Sequence, residues 1–466
     1  MAETSADMPG VGRAGRLAAA GMGVLLLAAC ATYHARPLPD APDLKAGVDR
    51  LSVPAATLAL PGLTPVAFNA GDGLDGTELA MLAVSNNPAL VAARGRLGVV
   101  RAEAFAAGLL PDPQLDLGVD HPAPSGPGLV NGGIAALSFA VNALLTRGPE
   151  ADAARQRVRQ VHLELLWQEW QTAQRARQLY VQGLAQQRLR DLLARNRRLL
   201  AAQSRAARAA LARGDVDVAA EGATLAALTD IDARLRQVDE SANRTRAALN
   251  ALLGLAPAVV LKLQPRAGTE SGPSESSFRA ALHELASRRP DLLALRAGYA
   301  SQDAQLRRAI RAQFPLVSVG INRQRDTGDV NSSGLSISLN LPLFNGNRGA
   351  IRVARATREQ LRAEYQARLD QSRSQAVTLF RTRALLEHQL AQLADQLPDL
   401  VRAARAAHQA WQRGEMHAGD YLAIEQRALD RQEERVRLRA DVAMSRIALD
   451  TLLGRPLSGD HARGDG

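Results

Sequence analysis

The sequence predicts a mainly α-helical chain with a small amphipathic β part, laid out as two tandem repeats of one pattern. Three observations carry that fold class. The first is the stretch from Phe314 to Ala350, where the helical spacing of Ala, Leu, Arg and Gln gives way to a period of two. Val317, Val319 and Ile321 alternate with Ser318, Gly320 and Asn322, and Leu335, Ile337, Leu339 and Leu341 alternate with Ser336, Ser338 and Asn340. Such alternation gives a strand one apolar and one polar face. The second is an earlier copy of the same pattern. Pro88, Leu90, Arg94, Pro113 and Gly118 recur 202 residues later as Pro290, Leu292, Arg296, Pro315 and Gly320. Arg213-Gly214-Asp215 recurs 200 residues later as Arg413-Gly414-Glu415, and Leu249, Leu252, Leu253 and Gly254 recur as Leu449, Leu452, Leu453 and Gly454. The third is a pair of leucine-rich seams in a chain whose aromatic content is only 3 %, too little for a thick core and suited to a wall one helix deep.

From the N-terminus, residues 1–29 read as a secretory signal. Arg13 and Arg16 precede an apolar run, Leu17 to Ala29, which is too short to span a bilayer as a helix. Its ending, Leu27-Ala28-Ala29-Cys30, resembles the lipobox of bacterial lipoproteins, in which cleavage precedes the cysteine and the thiol receives a fatty chain such as palmitate. Cys30 is the one cysteine, so it forms no internal disulfide, and Ala31 after it favours the outer membrane by the bacterial sorting rule. Residues 30–73, with six prolines between Pro37 and Pro65, read as an extended tether. Asp72 and Asp75 lack the rest of a cation-loop ligand set; Asp75 with Glu78 three residues on reads instead as a helix cap.

The first repeat is expected over 74–256. Leu115, Leu117 and Val119 form one strand and Leu137, Phe139 and Val141 the next. Pro149 to Arg213 then reads as one helix of roughly 100 Å at 1.5 Å per residue. The returning segment places Leu228, Ile231, Leu235, Val238, Ala242, Thr245, Leu249 and Leu252 at alternating steps of three and four, a heptad seam for a partner helix. Residues 257–273 read as a Pro, Gly and Ser linker, and 274–456 as the second repeat. There the strands are joined by the polar loop RQRDTGDVNSSG, and Leu386, Leu390, Leu393, Leu397 and Leu400 repeat the seam. Residues 457–466 read as a disordered tail.

Backbone chemistry then limits the assembly. Four strands cannot close a barrel, and an open edge in lipid leaves polar groups unpaired at several kcal/mol each. Three chains of four strands close at twelve, an even number within the range of outer-membrane barrels.

Other classes fare poorly. His283-Glu284 begins like a zinc-protease motif, but the position that needs the second histidine is Ser287. His417 has no Cys or His at ligand spacing, so no metal site is expected, and no phosphate loop is present. A net charge of +10 raises a nucleic-acid reading, yet the arginines spread along whole helices and a signal peptide removes the chain from nucleic acid. Neither an enzyme nor a cofactor is expected.

Over roughly residues 74–456 the chain resembles the outer membrane efflux protein family, the trimeric channel-tunnels typified by TolC. Asn87-Pro88-Ala89-Leu90 and Arg289-Pro290-Asp291-Leu292 look like the family's helix openings. Leu341-Pro342-Leu343-Phe344-Asn345-Gly346, followed by Arg348, looks like its strand-to-helix junction, of which the first copy keeps only Leu144 and Arg147-Gly148. With the lipobox, the resemblance is to the lipoprotein subgroup that serves resistance-nodulation-division pumps. It implies a homotrimer in the outer membrane, lipid-anchored, with a long periplasmic part. It would be a passive export duct for metal cations or small toxic compounds, docked on a periplasmic adaptor and an inner-membrane pump. Arg213, Gly214, Asp215, Arg413, Gly414 and Glu415 match the hairpin tips that meet the adaptor. Asp420 falls where the family places an acidic residue in the lumen, as a constriction in three copies; the other reading is a solvated charge at a helix start. In the first repeat that position is Ala220, beside Glu221. A protein-secretion duct and a periplasmic coiled-coil scaffold without a channel remain the alternatives.

Overall fold

The computed structural model describes residues 33–53, 71–123, 126–265 and 272–455. Cys30, the signal segment and the tail beyond Arg455 lie outside them. The chain falls into two compact units, Met1–Asp43 and Leu44–Gly466. The described residues of the first, 33–43, form no helix or strand. Every helix and strand among the described residues belongs to the second.

There the elements run α1 (Gly76–Asn86), α2 (Pro88–Ala106), β1 (Gln114–Asp120), β2 (Gly132–Ala140), α3 (Asn142–Arg213) and α4 (Val218–Leu253). A second series comes after them: α5 (Glu275–His283), α6 (Leu285–Arg288), α7 (Pro290–Arg311), β3 (Leu316–Arg325), β4 (Asn331–Asn340), α8 (Arg348–Gln412) and α9 (Ala418–Leu452). Each series is short helices, two strands, one long helix and one returning helix.

Helix α1 opens with the reciprocal cap that the Asp75/Glu78 spacing predicts. The Asp75 carboxylate accepts from the Thr77 and Glu78 amides, and the Glu78 carboxylate accepts from the Asp75 amide, each at 2.8 Å. Leu79 to Val84 are buried without a break, so α1 is enclosed on every side, among Leu90, Leu165, Trp170, Leu179 and Leu249. Segments read as tether and linker are each tied to the ends of the 74–256 segment beside it: Lys45 bridges Leu255, Leu263 bridges Leu74, and Leu51 is buried.

Helix α3 corrects one expectation. It has 72 residues and starts at Asn142, so Pro149 lies inside it rather than at its beginning. A proline at 149 has no amide to offer the carbonyl of Leu145. The Arg311 guanidinium of α7 donates to that carbonyl at 3.1 Å, so the helix passes through the proline with its backbone group satisfied. The expected seams are the buried faces: Ile231, Val238, Thr245 and Leu249 on α4, and Leu393 and Leu397 on α8.

The four strands form one antiparallel sheet in the order β1-β2-β3-β4. Its register aligns Leu115, Leu137, Ile321 and Leu335 in one row, and Phe139, Val319 and Ile337 in another on the same face. Two strand ends differ from expectation. Strands β3 and β4 continue to the pair Arg325↔Asn331, so the polar loop shrinks to residues 326–330. The Asp326 carboxylate draws this turn tight by accepting from the Gly328 and Val330 amides at 2.9 Å, with Asp329 left-handed at φ 67°. Val141 leaves β2 for the α-region (φ −66°) and precedes α3, although its amide still donates to the Val317 carbonyl at 2.9 Å.

Each returning helix is pinned to the residue that precedes the helix leading into the strands of its own series. The Asn87 side-chain amide donates to the Leu252 carbonyl at 2.9 Å, and the Arg289 guanidinium to the Leu452 carbonyl at 3.3 Å.

Candidate functional site

Two regions carry the surface chemistry that the fold organises: the reversals between long and returning helices, and the sheet. At the first reversal the Gly214 amide donates to the Leu211 carbonyl at 3.0 Å and the Asp215 amide to the Ala210 carbonyl at 2.9 Å. At the second, Gly414 donates to Trp411 at 3.0 Å and Glu415 to Ala410 at 2.9 Å. This double bond is a Schellman motif, which needs a left-handed residue at its centre. Gly214 has φ 78° and Gly414 φ 76°, and glycine alone takes this conformation without a Cβ penalty.

The flanking charges pair locally. Arg213 donates to Asp215 at 2.8 Å, and Arg413 makes a two-point bond to Glu415 at 2.9 and 2.8 Å. Hydrogen bonding and proximity to Arg413 hold the Glu415 carboxyl below its ordinary range. All six residues are exposed, so both reversals present a neutralised ion pair to their surroundings. Asp420 is exposed in the first turn of α9, where its charge also suits the positive end of the helix. Ala220 is half-buried, and Glu221 lies 3.5 Å from Arg208.

Behind the second reversal lies a network that the sequence did not announce. Tyr421 is only 1 % exposed, and its ring stacks on Trp411 with centroids 5.1 Å apart. Its hydroxyl accepts from the Gln203 amide of α3 at 2.8 Å and lies 3.2 Å from Nδ1 of His408. The Gln412 amide nitrogen is 3.0 Å from Nε2 of the same imidazole, so it donates there and leaves the Nδ1 hydrogen for Tyr421. Burial pushes the Tyr421 hydroxyl up, and it pushes the nearby Glu425 carboxyl up against the opposing influence of His408. Gln203 and Tyr421 join the two helical hairpins, among Leu193, Ile231, Ala407 and Leu422. Cross-hairpin bonds have no local sequence signal; the gathering of His408, Trp411 and Tyr421 in an aromatic-poor chain was the available clue.

A second joint lies farther from the reversals. Arg234 of α4 pairs with Asp230 at 2.8 Å and, across on α9, with Asp430 and with Glu433 at 3.1 Å; Arg437 closes the group at 2.9 Å from Glu433. Burial opposes the Arg234 charge, but hydrogen bonds to Asp430 and Glu433 outweigh it and raise its pKa. His283 ends α5 and Glu284 lies between α5 and α6, without a metal-ligand pair. Among the described residues no group of three His, Cys, Asp or Glu side chains gathers to hold a metal. His417 precedes α9 and makes no capping bond.

The sheet exposes its apolar face: Leu115 is 61 % exposed and Leu335 69 %. Among the described residues, strands β1 and β4 each have a strand neighbour on one side only. No helix among the described residues is long and apolar enough to cross a membrane.

Residues 281–455 match the family model described as Outer membrane efflux protein. No curated protein sequence matches the chain. Among solved structures, the outer-membrane channel OprN is similar with a TM-score of 0.72 at 18 % identity, covering 92 % of this chain and 100 % of that one. The Campylobacter jejuni CmeC outer membrane channel gives 0.70 at 15 % identity, over 92 % and 96 % of the two chains. The open state of the Neisseria gonorrhoeae MtrE outer membrane channel gives 0.67 at 15 % identity, over 87 % and 98 %. At such identities the likeness establishes a shared fold.

Proposed function

We propose, from a chain whose residues 281–455 belong to the outer membrane efflux protein family and whose fold is that of TolC-like channels, that three copies form the outer-membrane duct of a tripartite efflux system. The observation that carries this reading is the sheet. An apolar row crosses all four strands, remains exposed, and ends on each side at an edge that has no strand partner among the described residues. In water such a sheet is an aggregation template. In a bilayer it is satisfied once β4 of one copy pairs with β1 of the next and the ring closes at twelve strands. The polar face, with Asp116, Ser138, Asn322 and Ser336, then lines a water-filled bore.

The helical hairpins continue the bore into the periplasm, and Cys30 anchors the chain by an acyl group. The reversals at Gly214 and Gly414 form the periplasmic mouth. Their exposed, self-neutralised Arg213-Asp215 and Arg413-Glu415 pairs meet the adaptor, which links the duct to a resistance-nodulation-division pump. Asp420 of three copies sets a negative constriction. Energy comes from the pump, and the cargo class is metal cations or small toxic compounds.

Mass measurement of the cross-linked complex, extracted with detergent from outer-membrane fractions of cells expressing the full chain, tests this. A trimer is expected; a soluble monomer or dimer would overturn the channel.

A further inference from the structure

The apolar face of the sheet is interrupted at one end only. Toward the β3–β4 turn, the row Leu115–Leu137–Ile321–Leu335 is followed by Leu117–Ala135–Arg323–Ser333 and then Val119–Gly133–Arg325–Asn331. Side chains two residues apart share a face, so Arg323 and Arg325 stand on the side that carries the leucines. At the opposite end that face keeps Val317 and Leu339, and the turn that follows β4 carries the strongly exposed Leu341, Leu343 and Phe344.

The spacing gives these arginines a depth. From Ser333, opposite Arg323, to Leu341, the first residue past β4, is a run of about 27 Å at strand spacing, and about 20 Å along the normal for strands tilted by roughly 40°. An outer-membrane barrel has an apolar band about 25 Å tall, and an outward arginine is tolerated near its border but costs about 2–4 kcal/mol at its middle. Arg323 therefore sits at the border far from the helices. On the reading that the helices occupy the periplasm, this border is at the outer leaflet.

The two charges differ in their partners. Arg325 is held by Asp329 of the turn, at 2.6 Å from Nε. Arg323 is exposed and makes no hydrogen bond or ion pair with any described residue. Strand β1 of a neighbouring copy would bring it no carboxylate, because β1 has Leu115, Leu117 and Val119 in register with this face and Asp116 and Asp120 in register with the other. Ser333 and Asn331, directly across from the arginines on β4, add a hydroxyl and an amide as further donors. A cation with polar donors beside it, at headgroup height and lacking a protein counter-charge, suits a phosphate monoester.

We infer that Arg323, with Ser333 and the partly engaged Arg325, forms a lipid-facing site for the phosphate group of a phosphorylated glycolipid of the outer leaflet. Each copy carries one site, so a trimer holds three.

This inference rests on the membrane-barrel reading, and the test separates the two. The full-length protein is placed in nanodiscs of phosphatidylcholine mixed with diphosphorylated lipid A, and the lipid A retained per trimer is measured by native mass spectrometry. Arg323→Gln is expected to lower retention about tenfold, the effect of a lost charge-assisted bond. Arg325→Gln lowers it less, Arg323→Lys keeps part of it, and Asp329→Asn raises it by releasing Arg325. Equal retention by wild type and Arg323→Gln overturns the site, as does equal retention of dephosphorylated lipid A or of phosphatidylglycerol by the wild type. Failure of the wild-type chain to enter the nanodisc overturns the barrel itself.

Discussion

In the first repeat the residue before the helix-opening proline is Asn87, and it does two small jobs: its side-chain amide donates to the Leu252 carbonyl at 2.9 Å and its side-chain oxygen accepts from the Leu90 amide at 3.1 Å. In the second repeat the same place holds Arg289, which reaches the Leu452 carbonyl and also grips Asp291 at 3.0 and 2.7 Å. Asp291 is shared with Arg368 of α8 at 2.9 Å, and the Arg289 guanidinium lies 4.8 Å over the Trp167 ring of α3. Both residues tie a returning helix to the opening of the helix that leads into the strands of its repeat. One does it with neutral hydrogen bonds, the other with a buried ionic hub that also touches the first repeat. A shared geometric task has been met by different chemistry, so the two repeats are expected to fail differently.

Removal of the hub has the largest expected effect. Arg289 is 1 % exposed, and Arg289→Ala leaves Asp291 buried without its two-point partner. A loss of about 3–5 kcal/mol is expected, against about 1–2 kcal/mol for Asn87→Ala, read as shifts in urea midpoint of the detergent-extracted protein. Equal losses would erase the contrast. The hub also gives the second repeat its own pH dependence. Burial raises the Asp291 carboxyl, but Arg289 and Arg368 outweigh it and hold it below the usual carboxylate range. A depressed folded pKa contributes stability above the unfolded value, which is lost as pH falls through the folded one. Wild type should therefore lose more stability on acidification than Asp291→Asn does.

The next effect lies at the joint between hairpins. Tyr421→Phe keeps the stack on Trp411 but strands the Gln203 donor, a cost of about 1–3 kcal/mol for an unpaired buried group. Single-channel recording is the sharper readout: in the proposed duct, loosening α9 from α3 should raise the open fraction, whereas an unchanged open fraction would make the network purely structural. Below it stand the reversals. Nothing lies within 4 Å of a Cβ built on Gly214 or Gly414, so Gly→Ala at either is penalised only through the left-handed backbone, by about 1–2 kcal/mol. Here the repeats should behave alike, and a large inequality would show that one reversal is packed against something else.

Local chemistry was legible in the sequence and distant chemistry was not. The period of two gave four strands because each side chain reports its own face, and Asp75 with Glu78 gave a cap because both partners lie within one turn. Gly214 and Gly414 marked reversals because left-handed backbone selects glycine. By contrast, the start of α3 depended on Arg311 satisfying the Leu145 carbonyl, 166 residues away, and the Tyr421 network on Gln203, 218 residues away. Neither leaves a trace in periodicity. The extra strand length at Arg325↔Asn331 was hidden because its residues are polar on both faces, where alternation carries no signal.

The smallest contrast is at the residue that restarts the chain after each reversal. Asp217 caps α4, its carboxylate accepting from the Ala220 amide at 2.8 Å, whereas His417 precedes α9 in extended backbone (φ −69°, ψ 145°) with no capping bond. The backbone there already has the form a capping side chain requires, so only the acceptor is missing. Asp217→Ala should therefore cost about 1 kcal/mol, and His417→Asp should add about 0.5–1 kcal/mol, measured by the same urea midpoints. Asp420 lies in the first turn of α9, close to any carboxylate introduced by His417→Asp, and repulsion between the two would trim the gain. Comparing His417→Asp with His417→Ser, which supplies an acceptor without a charge, isolates that repulsion. A serine variant more stable than the aspartate variant would show that Asp420 is poorly screened where it sits, as a residue facing a confined bore should be; equal gains would mark it as a solvated helix-start charge.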